Sequence, residues 1–269
     1  MNIKEELCHY IGDTQNGKKQ GKGKMLFSDG SYYEGEFKDD LYSGTGTLHL
    51  KEYRYVGEFY NGKKQGKGKI EYFAEKTVYE GEFMNDLPSG YGKEIYENGV
   101  IYQGFFVNGK KHNKGKLTLA NGGEYIGEFN NDCLQGNGYF KWNDTKNYKG
   151  QWKNNCIDGF GVFTDRDKQY IGYFEKDLKS GIGANYYVNN NVYIVSRWRE
   201  DKIEDGIAIV FDGEGKEDIV KIQNNIIAMK YNEEDVSNNR IKDSENYLEL
   251  KKFYDEKILS GFYCNINFN

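Results

Sequence analysis

Residues 33–46 read YEGEFKDDLYSGTG, and the spacing of tyrosine, glycine and phenylalanine in this stretch decides the fold. Tyr33, Gly35 and Phe37 alternate with charged residues, which is the period-two pattern of a β-strand with one polar face. Residues 39–40 are Asp-Asp, and a turn pair of Asp, Asn or Gly tolerates the positive φ angles of a tight hairpin. The stretch therefore predicts a β-hairpin whose apolar side chains share one face.

The same pattern recurs along the chain at intervals of 22 to 24 residues. At this interval, eight tyrosines stand two residues before a glycine, and in seven of these segments a G-x-G follows at eleven and thirteen residues after the tyrosine. In the fifth segment Asn113 stands where the first of those glycines is expected. A unit repeated at a fixed period predicts stacked hairpins, because one such unit cannot bury its apolar face alone. The eight tyrosines are Tyr10, Tyr33, Tyr55, Tyr79, Tyr102, Tyr125, Tyr148 and Tyr170.

The stretch GKKQGKGK, at residues 17–24 and 62–69, is a near match to a phosphate-binding loop. A phosphate loop needs four residues between its glycines and a Ser or Thr after its lysine. Here only three residues separate the glycines, and neither Lys22 nor Lys67 is followed by Ser or Thr. We therefore interpret the stretch as a hairpin tip followed by a glycine-bearing strand, with its lysines in solvent.

The pattern Y-x-G-x-F…G-x-G…G-x-x-Y resembles the MORN repeat over about residues 10–192. The resemblance implies an all-β fold, namely an elongated, single-layer antiparallel sheet of stacked hairpins with a groove. Residues 1–192 are then the repeat array. The pattern decays over residues 193–231, which we interpret as degenerate repeats that cap the array. There Tyr193 takes the tyrosine position with Val195 in place of glycine, and residues 219–222 and 226–231 are predicted to form a last hairpin around Asn224-Asn225.

Residues 232–269 are predicted to form a polar linker and a C-terminal α-helix. Ser244 is a candidate N-cap. An apolar stripe at helical spacing follows it and ends near Gly261. The stripe consists of Tyr247, Leu250, Tyr254 and Ile258.

The composition excludes several classes of function. A net charge of -5 at pH 7 gives no basic footprint for nucleic acid. The longest apolar run, residues 207–211, is too short to span a bilayer, and the first ten residues contain no apolar signal core. The four cysteines are far apart and include no C-x-x-C pair, which favours reduced thiols and a cytoplasmic location. They are Cys8, Cys133, Cys156 and Cys264.

No catalytic chemistry is indicated by the sequence. The three histidines lie in different repeats without a carboxylate or cysteine at ligand spacing, and neither G-x-S-x-G nor H-E-x-x-H occurs. Some MORN proteins carry an attached methyltransferase or lipid-kinase domain, but the 77 residues from 193 to 269 are too few for either. We therefore predict that the chain is not an enzyme and binds no metal or cofactor. The histidines are His9, His49 and His112.

A row of glutamates at one repeat position resembles a set of paired carboxylates. Lysines in the second strands are predicted to lie opposite them, so that cross-strand charge pairing on a solvated face explains the row better than catalysis. The glutamates are Glu36, Glu58, Glu82 and Glu128, and the lysines are Lys24, Lys69, Lys93 and Lys116.

The leading hypothesis is a non-catalytic scaffold or adaptor that binds a partner protein. In a single layer no second sheet covers the apolar face, and a long exposed apolar strip usually marks a partner site. A groove suits a helical or extended segment. The alternative is that the aromatic side chains only hold the sheet together. The MORN resemblance implies a cytoskeletal, ciliary or cortical assembly. The predicted groove residues are Tyr33, Phe37, Tyr55, Phe59, Tyr79, Phe83, Tyr102, Phe106, Tyr125, Phe129, Tyr148, Trp152, Tyr170 and Phe174.

The sequence leaves two further kinds of partner as alternatives, an acidic membrane surface and a second copy of the chain. Lysine pairs at 18–19, 63–64 and 110–111 mark alternate hairpin tips, so an acidic phospholipid surface is the alternative to a protein partner. Acidic tips alternate with the basic ones, which weakens that alternative. The strand at residues 10–14 lacks the expected aromatic residue at Thr14, and its open edge predicts a weak tendency to form a homodimer.

The face opposite the tyrosines changes character in the sixth to eighth repeats. There the charged rows are replaced by apolar residues that need a cover. We predict that the C-terminal helix docks on this part of the face. The docking residues are predicted to be Tyr139, Phe160, Val162, Ile171, Tyr173 and Ile182, with Ile126 at the same repeat position.

Overall fold

A computed structural model describes residues 9–238 and 241–261 of the chain. Within these residues the principal element is the antiparallel β-strand, which confirms the predicted all-β class. The strands are β1 His9–Gln15, β2 Lys18–Leu26, β3 Tyr32–Lys38, β4 Leu41–His49, β5 Tyr53–Tyr60, β6 Lys63–Tyr72, β7 Thr77–Met84, β8 Leu87–Ile95, β9 Ile101–Val107, β10 Lys110–Thr118, β11 Glu124–Asn130, β12 Cys133–Lys141, β13 Lys146–Lys153, β14 Cys156–Asp165, β15 Lys168–Glu175, β16 Leu178–Tyr187, β17 Val192–Arg199, β18 Lys202–Ile203, β19 Gly206–Phe211, β20 Glu217–Gln223 and β21 Ile226–Lys230.

The chain divides into two compact units. Of the described residues, the first unit holds 9–121 and 129–132, and the second holds 122–128, 133–238 and 241–261. This division falls within the sixth repeat, whereas the sequence placed its boundaries at 192 and 231.

Each hairpin of the first unit is built around facing glycines. In the hairpin β3–β4, Gly35 pairs with Gly46, and the register then shifts by a bulge. A Cβ atom on Gly46 would lie 2.5 Å from the hydroxyl oxygen of Tyr33, so only glycine leaves room for that ring. The repeated glycines are therefore required by the packing of the tyrosines.

The recurring glutamates satisfy the backbone at these bulges. The amide of Thr45 donates to Glu36 at 3.1 Å, and the amide of Lys67 donates to Glu58 at 2.9 Å. In the second unit the amide of Asn137 donates to Glu128 at 3.1 Å. Three of the lysines predicted to face this row lie elsewhere, because Lys24 is across from Glu34, and Lys69 and Lys93 are across from Glu80. The glutamates instead accept amides that the bulge leaves unpaired, and Glu36 and Glu82 lie across from Lys22 and Lys67. The Lys24 amine donates to Glu34.

The turn residues have the predicted backbone geometry. Asp39 and Asp40 have φ angles of 50° and 70°, which Asp and Asn adopt more readily than other side chains. The second turn residue also links neighbouring hairpins, because the carboxylate of Asp40 accepts the amide of Lys19 at 2.9 Å. Asp86 accepts the amide of Lys64 in the same way. These links set the position of each tip against the preceding hairpin.

The second unit adds helices to its strands. They are the 3-10 turns Val188–Asn190 and Ile241–Asp243, the short helix α1 Glu233–Asn238, the helix α2 Glu245–Phe253 and a π-helical turn Tyr254–Leu259. The Ser244 hydroxyl caps α2 by accepting the amide of Tyr247, as the sequence predicted. The predicted linker instead contains α1. No helix among the described residues is long and apolar enough to cross a bilayer.

The degenerate repeats keep the hairpin pattern with a shift of one residue. Strand β17 pairs Ser196 with Gly183 and Trp198 with Gly181, so Ile194, Ser196 and Trp198 occupy the places of Tyr, Gly and Phe. The sequence reading, which placed Tyr193 in the tyrosine position, was wrong by one residue. The last predicted hairpin, around Asn224-Asn225, is confirmed as β20–β21.

Candidate protein-binding surface

Every hairpin presents two faces. We call the face that carries the repeat tyrosines the aromatic face, and the other the opposite face. Because side chains alternate along a strand, the residue between the two glycines of each G-x-G lies on the opposite face.

On the aromatic face of the first unit, aromatic edges clamp the ring of each repeat tyrosine from Tyr33 onward. The ring of Tyr55 lies 5.1 Å from that of Phe59 in its own strand and 5.0 Å from that of Phe83 in the next hairpin, both nearly perpendicular to it. Its hydroxyl donates to the carbonyl of Glu58 at 3.0 Å. Burial raises the pKa of this phenol well above its ordinary value. The tyrosine is thus held by packing and by a satisfied hydroxyl.

The second unit repeats this arrangement with tryptophans in two of the phenylalanine positions. The ring of Tyr148 lies 5.5 Å from Trp152 and 5.3 Å from Phe174. Tyr170 lies between Phe174 and Trp198 in the same way. The aromatic clamp therefore continues into the degenerate repeats through Trp198.

This arrangement of hairpin, facing glycines and clamped tyrosine matches a known repeat family. The family model described as "MORN repeat" matches residues 10–32, 33–51, 55–73, 79–101, 102–124, 125–145 and 148–169. The chain belongs to the MORN-repeat family. MORN repeats are non-enzymatic repeats that in general mediate interactions with proteins or membranes. The eighth repeat, which begins at Tyr170, lies beyond the matched residues.

Among solved structures, one of a catalytically inactive virginiamycin B lyase from Staphylococcus aureus with quinupristin is similar to 84% of this chain and 88% of that chain. The sequence identity is 12% and the TM-score is 0.15, which is too low to support an argument about fold or function.

We call the row of clamped tyrosine, phenylalanine and tryptophan rings on the aromatic face the aromatic ladder. Side chains from the second strands of the MORN hairpins cover it. Tyr42 stacks on Tyr33 at 3.8 Å. The Lys64 amine lies 4.4 Å from the ring centroid of Tyr53, and burial lowers its pKa. The whole residue is only 7% exposed, so the prediction of a solvated tip lysine is wrong for Lys64. Its amine also lies 5.7 Å from the ring centroid of Tyr55, so this side chain covers two rings of the face.

The ladder is therefore a packed layer. All fourteen residues predicted to line a partner groove are at most 7% exposed. A partner could touch them only by displacing their neighbours, so the expected exposed apolar strip is absent from the described part of the aromatic face. In the first unit they are Tyr33, Phe37, Tyr55, Phe59, Tyr79, Phe83, Tyr102, Phe106 and Phe129, and in the second unit they are Tyr125, Tyr148, Trp152, Tyr170 and Phe174.

The opposite face of the first unit holds an open depression of about 610 Å³. Its floor contains the backbone of Gly68, Gly81 and Gly92. Its apolar wall includes Val56 and Tyr91, which are 40% and 46% exposed. Its polar wall consists of Lys67, Lys69, Glu80, Glu82 and Lys93.

Phe105 extends this apolar surface beside the depression. It pairs with Tyr91 across β8 and β9, and their rings lie 5.5 Å apart in an edge-to-face arrangement. Phe105 is 44% exposed. Sequence reasoning missed this aromatic pair, although the signal was present in the two places where an aromatic residue interrupts the charged row.

On the opposite face of the second unit, α2 and the turn after it cover an apolar cluster. The face contributes Phe160, Val162, Ile171 and the partly buried Ile182, and the helical segment contributes the whole predicted stripe together with Phe253. Beyond the predicted repeats, the cluster takes in Val195, Ile209, Phe211 and Ile219 from the degenerate strands.

The helix thus lies on the predicted face but further along the chain than predicted. Tyr173 lies at its edge, with its ring 6.4 Å from that of Phe253, and stays 40% exposed. Tyr139 is absent from the cluster, and Ile126 is 42% exposed. The shift has a physical reason, because the degenerate strands contribute more apolar side chains to this face than the sixth repeat, which has Ile126 and Tyr139.

Polar contacts fix the helix at two points. The guanidinium of Arg197 donates to Asn246 at 2.9 Å and forms an ion pair with Glu249. Glu217 accepts the hydroxyl of Tyr247 at 2.7 Å and pairs with Lys242 at 2.9 Å. Burial by itself raises the pKa of Glu217, but the hydrogen bonds from Lys242 and Tyr247 outweigh it and hold the pKa below its ordinary value.

Metal chemistry has no support in residues 9–238 and 241–261, where no cluster of three or more His, Cys, Asp or Glu side chains could hold an ion. Cys133 and Cys156 are free thiols. Cys8 and Cys264 lie outside the described residues.

The lysine tips are partly neutralised by the acidic tips beside them. Lys18 and Lys19 pair with Asp39 and Asp40 at 3.6 and 3.9 Å. Lys111 turns inward, where its amine donates to Glu94 at 2.7 Å. These contacts leave a less basic edge than the sequence suggested for binding to acidic lipid.

Proposed function

We propose that this MORN protein is a non-catalytic scaffold that binds a segment of a partner protein on the opposite face of its first unit. The observation that carries the proposal is the position of the exposed apolar side chains. The ladder is closed, whereas Val56, Tyr91 and Phe105 are each at least 40% exposed beside an open depression. Exposed aromatic side chains grouped in this way are typical of a protein contact surface.

The surroundings of the depression suit a protein segment better than a membrane. Lysines and glutamates alternate around it, so the surface offers both signs of charge instead of a basic patch. A cytoskeletal, ciliary or cortical assembly is the cellular setting that we propose for the scaffold, by analogy with other MORN proteins. The homodimer through the edge of β1 and the cytoplasmic location are part of the same proposal.

Site-specific photo-crosslinking in cells tests the surface. A photoreactive phenylalanine analogue is placed at 91, at 105 or, as a control, at Tyr60, which is 66% exposed at a hairpin tip. We expect the analogue at position 91 or 105 to form adducts with the same segment of a partner protein, and the analogue at position 60 to form none. In a chain that carries the analogue at position 105, the substitution Tyr91→Lys should abolish capture of the partner.

Adducts from position 60 alone, or capture that survives Tyr91→Lys, would contradict the proposed surface. Flotation with anionic vesicles at physiological salt is the parallel measurement. Strong flotation that does not depend on Tyr91 would favour the membrane alternative instead.

A further inference from the structure

The first and second units contain aromatic cross-strand pairs at equivalent places in the repeat. Tyr91 and Phe160 each lie between the glycines of a G-x-G, and Phe105 and Tyr173 each follow the glycine of Y-x-G on the next strand. The ring centroids are 5.5 Å apart in the first pair and 5.4 Å apart in the second, with interplanar angles of 74° and 68°. The two pairs are therefore nearly the same surface element.

In the second unit this element is a receptor for a helical segment. The ring of Phe253 lies 6.4 Å from both Phe160 and Tyr173. One turn later, the Lys257 amine lies 5.6 Å from the ring centroid of Phe160. An aromatic residue at i thus contacts both rings of the pair, and a cation at i+4 contacts one of them.

In the first unit the pair has no such cover among the described residues, and a carboxylate lies beside it where the second unit has an amide. The carboxylate of Glu82 takes the place that the amide of Gln151 takes in the second unit. The glycine before each pair shows this equivalence. A Cβ atom built on Gly90 would lie 2.3 Å from a carboxylate oxygen of Glu82, and a Cβ atom built on Gly159 would lie 2.3 Å from the amide oxygen of Gln151. A negative charge beside the Tyr91–Phe105 pair favours a cation at this point of the partner.

We propose that the Tyr91–Phe105 pair receives a helix of a partner protein that carries an aromatic residue at i and Lys or Arg at i+4. This inference rests on the proposed function and names the chemistry of its partner. The aromatic side chain caps the ring pair, and the cation lies beside Glu82. The chain's own α2 is not the occupant, because its Leu250, Phe253 and Tyr254 are buried in the second unit.

The test uses a peptide copy of residues 244–261 as a helix of the required chemistry. An isolated helix of this length is marginal in water, so a hydrocarbon staple joins positions 248 and 252 on the exposed side. The labelled peptide is titrated with the full chain and followed by fluorescence anisotropy. We expect saturable binding that falls at least about tenfold in the Tyr91→Ala/Phe105→Ala variant and with the Phe253→Ala peptide.

A charge swap sharpens the test. The Lys257→Glu peptide should bind the natural chain more weakly, and the Glu82→Lys variant should restore its binding. Binding that persists in the Tyr91→Ala/Phe105→Ala variant but is lost in Phe160→Ala would mean exchange at the second unit and would overturn the inference. Absence of binding would overturn it as well, while the crosslinking experiment still decides the proposed function.

Self-association of the full chain is the last outcome. Sedimentation that shows a dimer lost on Tyr91→Ala would identify the helix of a second copy as the occupant, which would overturn the assignment to a different protein.

Discussion

The first and second units use the same hairpin but leave its opposite face in different states. In the first unit most residues that stand between the two glycines of a G-x-G are charged or polar, and the opposite face stays in water. In the second unit Phe160 and Ile182 occupy that position, and a helix covers them. The residue at this one position of the repeat therefore distinguishes the solvated face from the docking surface. In the first unit Tyr91 places an aromatic side chain at the same position, and this side chain is 46% exposed.

The largest effect is expected from detaching the helix. Leu250 is fully buried, so Leu250→Asp places an unpaired charge in the apolar cluster at a cost of about 3 kcal/mol or more. We expect loss of amide hydrogen-exchange protection over residues 241–261 and increased binding of an apolar dye. Leu248→Asp is the matched control, because Leu248 is 54% exposed on the same helix. Equal protection in both variants would refute the docking role of Leu250.

The next prediction compares the two aromatic pairs directly. Phe160→Ala removes a ring that is 8% exposed under the helix and should lower the free energy of unfolding by about 3 kcal/mol. Tyr91→Ala removes a ring that is 46% exposed and should change it by no more than about 0.5 kcal/mol. Urea unfolding of both variants checks the difference. Similar losses would mean that Tyr91 is structural.

A pH dependence should distinguish the covered face from the open one. Because the pKa of Glu217 is lower in the folded chain, its stabilising contribution is present above the unfolded value of about 4.3 and is lost as the pH falls through the folded value. Hydrogen-exchange protection of residues 241–261 should therefore weaken below about pH 4. In Glu217→Gln this part of the pH dependence should disappear. A profile unchanged by the substitution would assign the titration to other carboxylates.

The smallest effect concerns the ion pair at the other end of the contact. Arg197 and Glu249 are both partly exposed, so Arg197→Met should loosen the helix by only about 0.5 kcal/mol. Arg199→Met is the control, because Arg199 pairs with Glu204 in the strand region. Local exchange rates in α2 should rise in the first variant only. A loss as large as that from Leu250→Asp would show that the pair dominates the docking.

The repeat could be predicted from the sequence because its constraints are local. The spacing of Tyr33, Gly35 and Gly46 predicts strand, turn and register together, since a ring above paired glycines requires all three. The helix stripe was predictable for the same reason, because it follows the helical period. Phe253 was missed because it lies off that stripe.

The covering of the ladder could not be predicted from the same pattern. Lys64 stands beside a turn in the sequence and was predicted to be solvated, yet its amine lies over the rings of Tyr53 and Tyr55. A long side chain with a charged end can cover apolar rings and still reach water, and residue type does not reveal which way it points. The predicted groove residues are therefore buried, and the partner surface that we propose lies on the opposite face. The one-residue shift at Ile194 was missed for a related reason, because neighbouring residues in β17 are all apolar or aromatic.

The links between hairpin tips have a consequence for how such a chain changes over evolution. Asp40 accepts from Lys19, Asp86 from Lys64 and Asp132 from Lys111, so each link spans 21 or 22 residues and joins only adjacent hairpins. Duplication or deletion of one whole period leaves every remaining link with a partner of the same kind. A gain or loss of fewer residues breaks the links on both sides of the change. The length of the protein can therefore vary by recombination in whole periods, while the packing within each period is inherited intact.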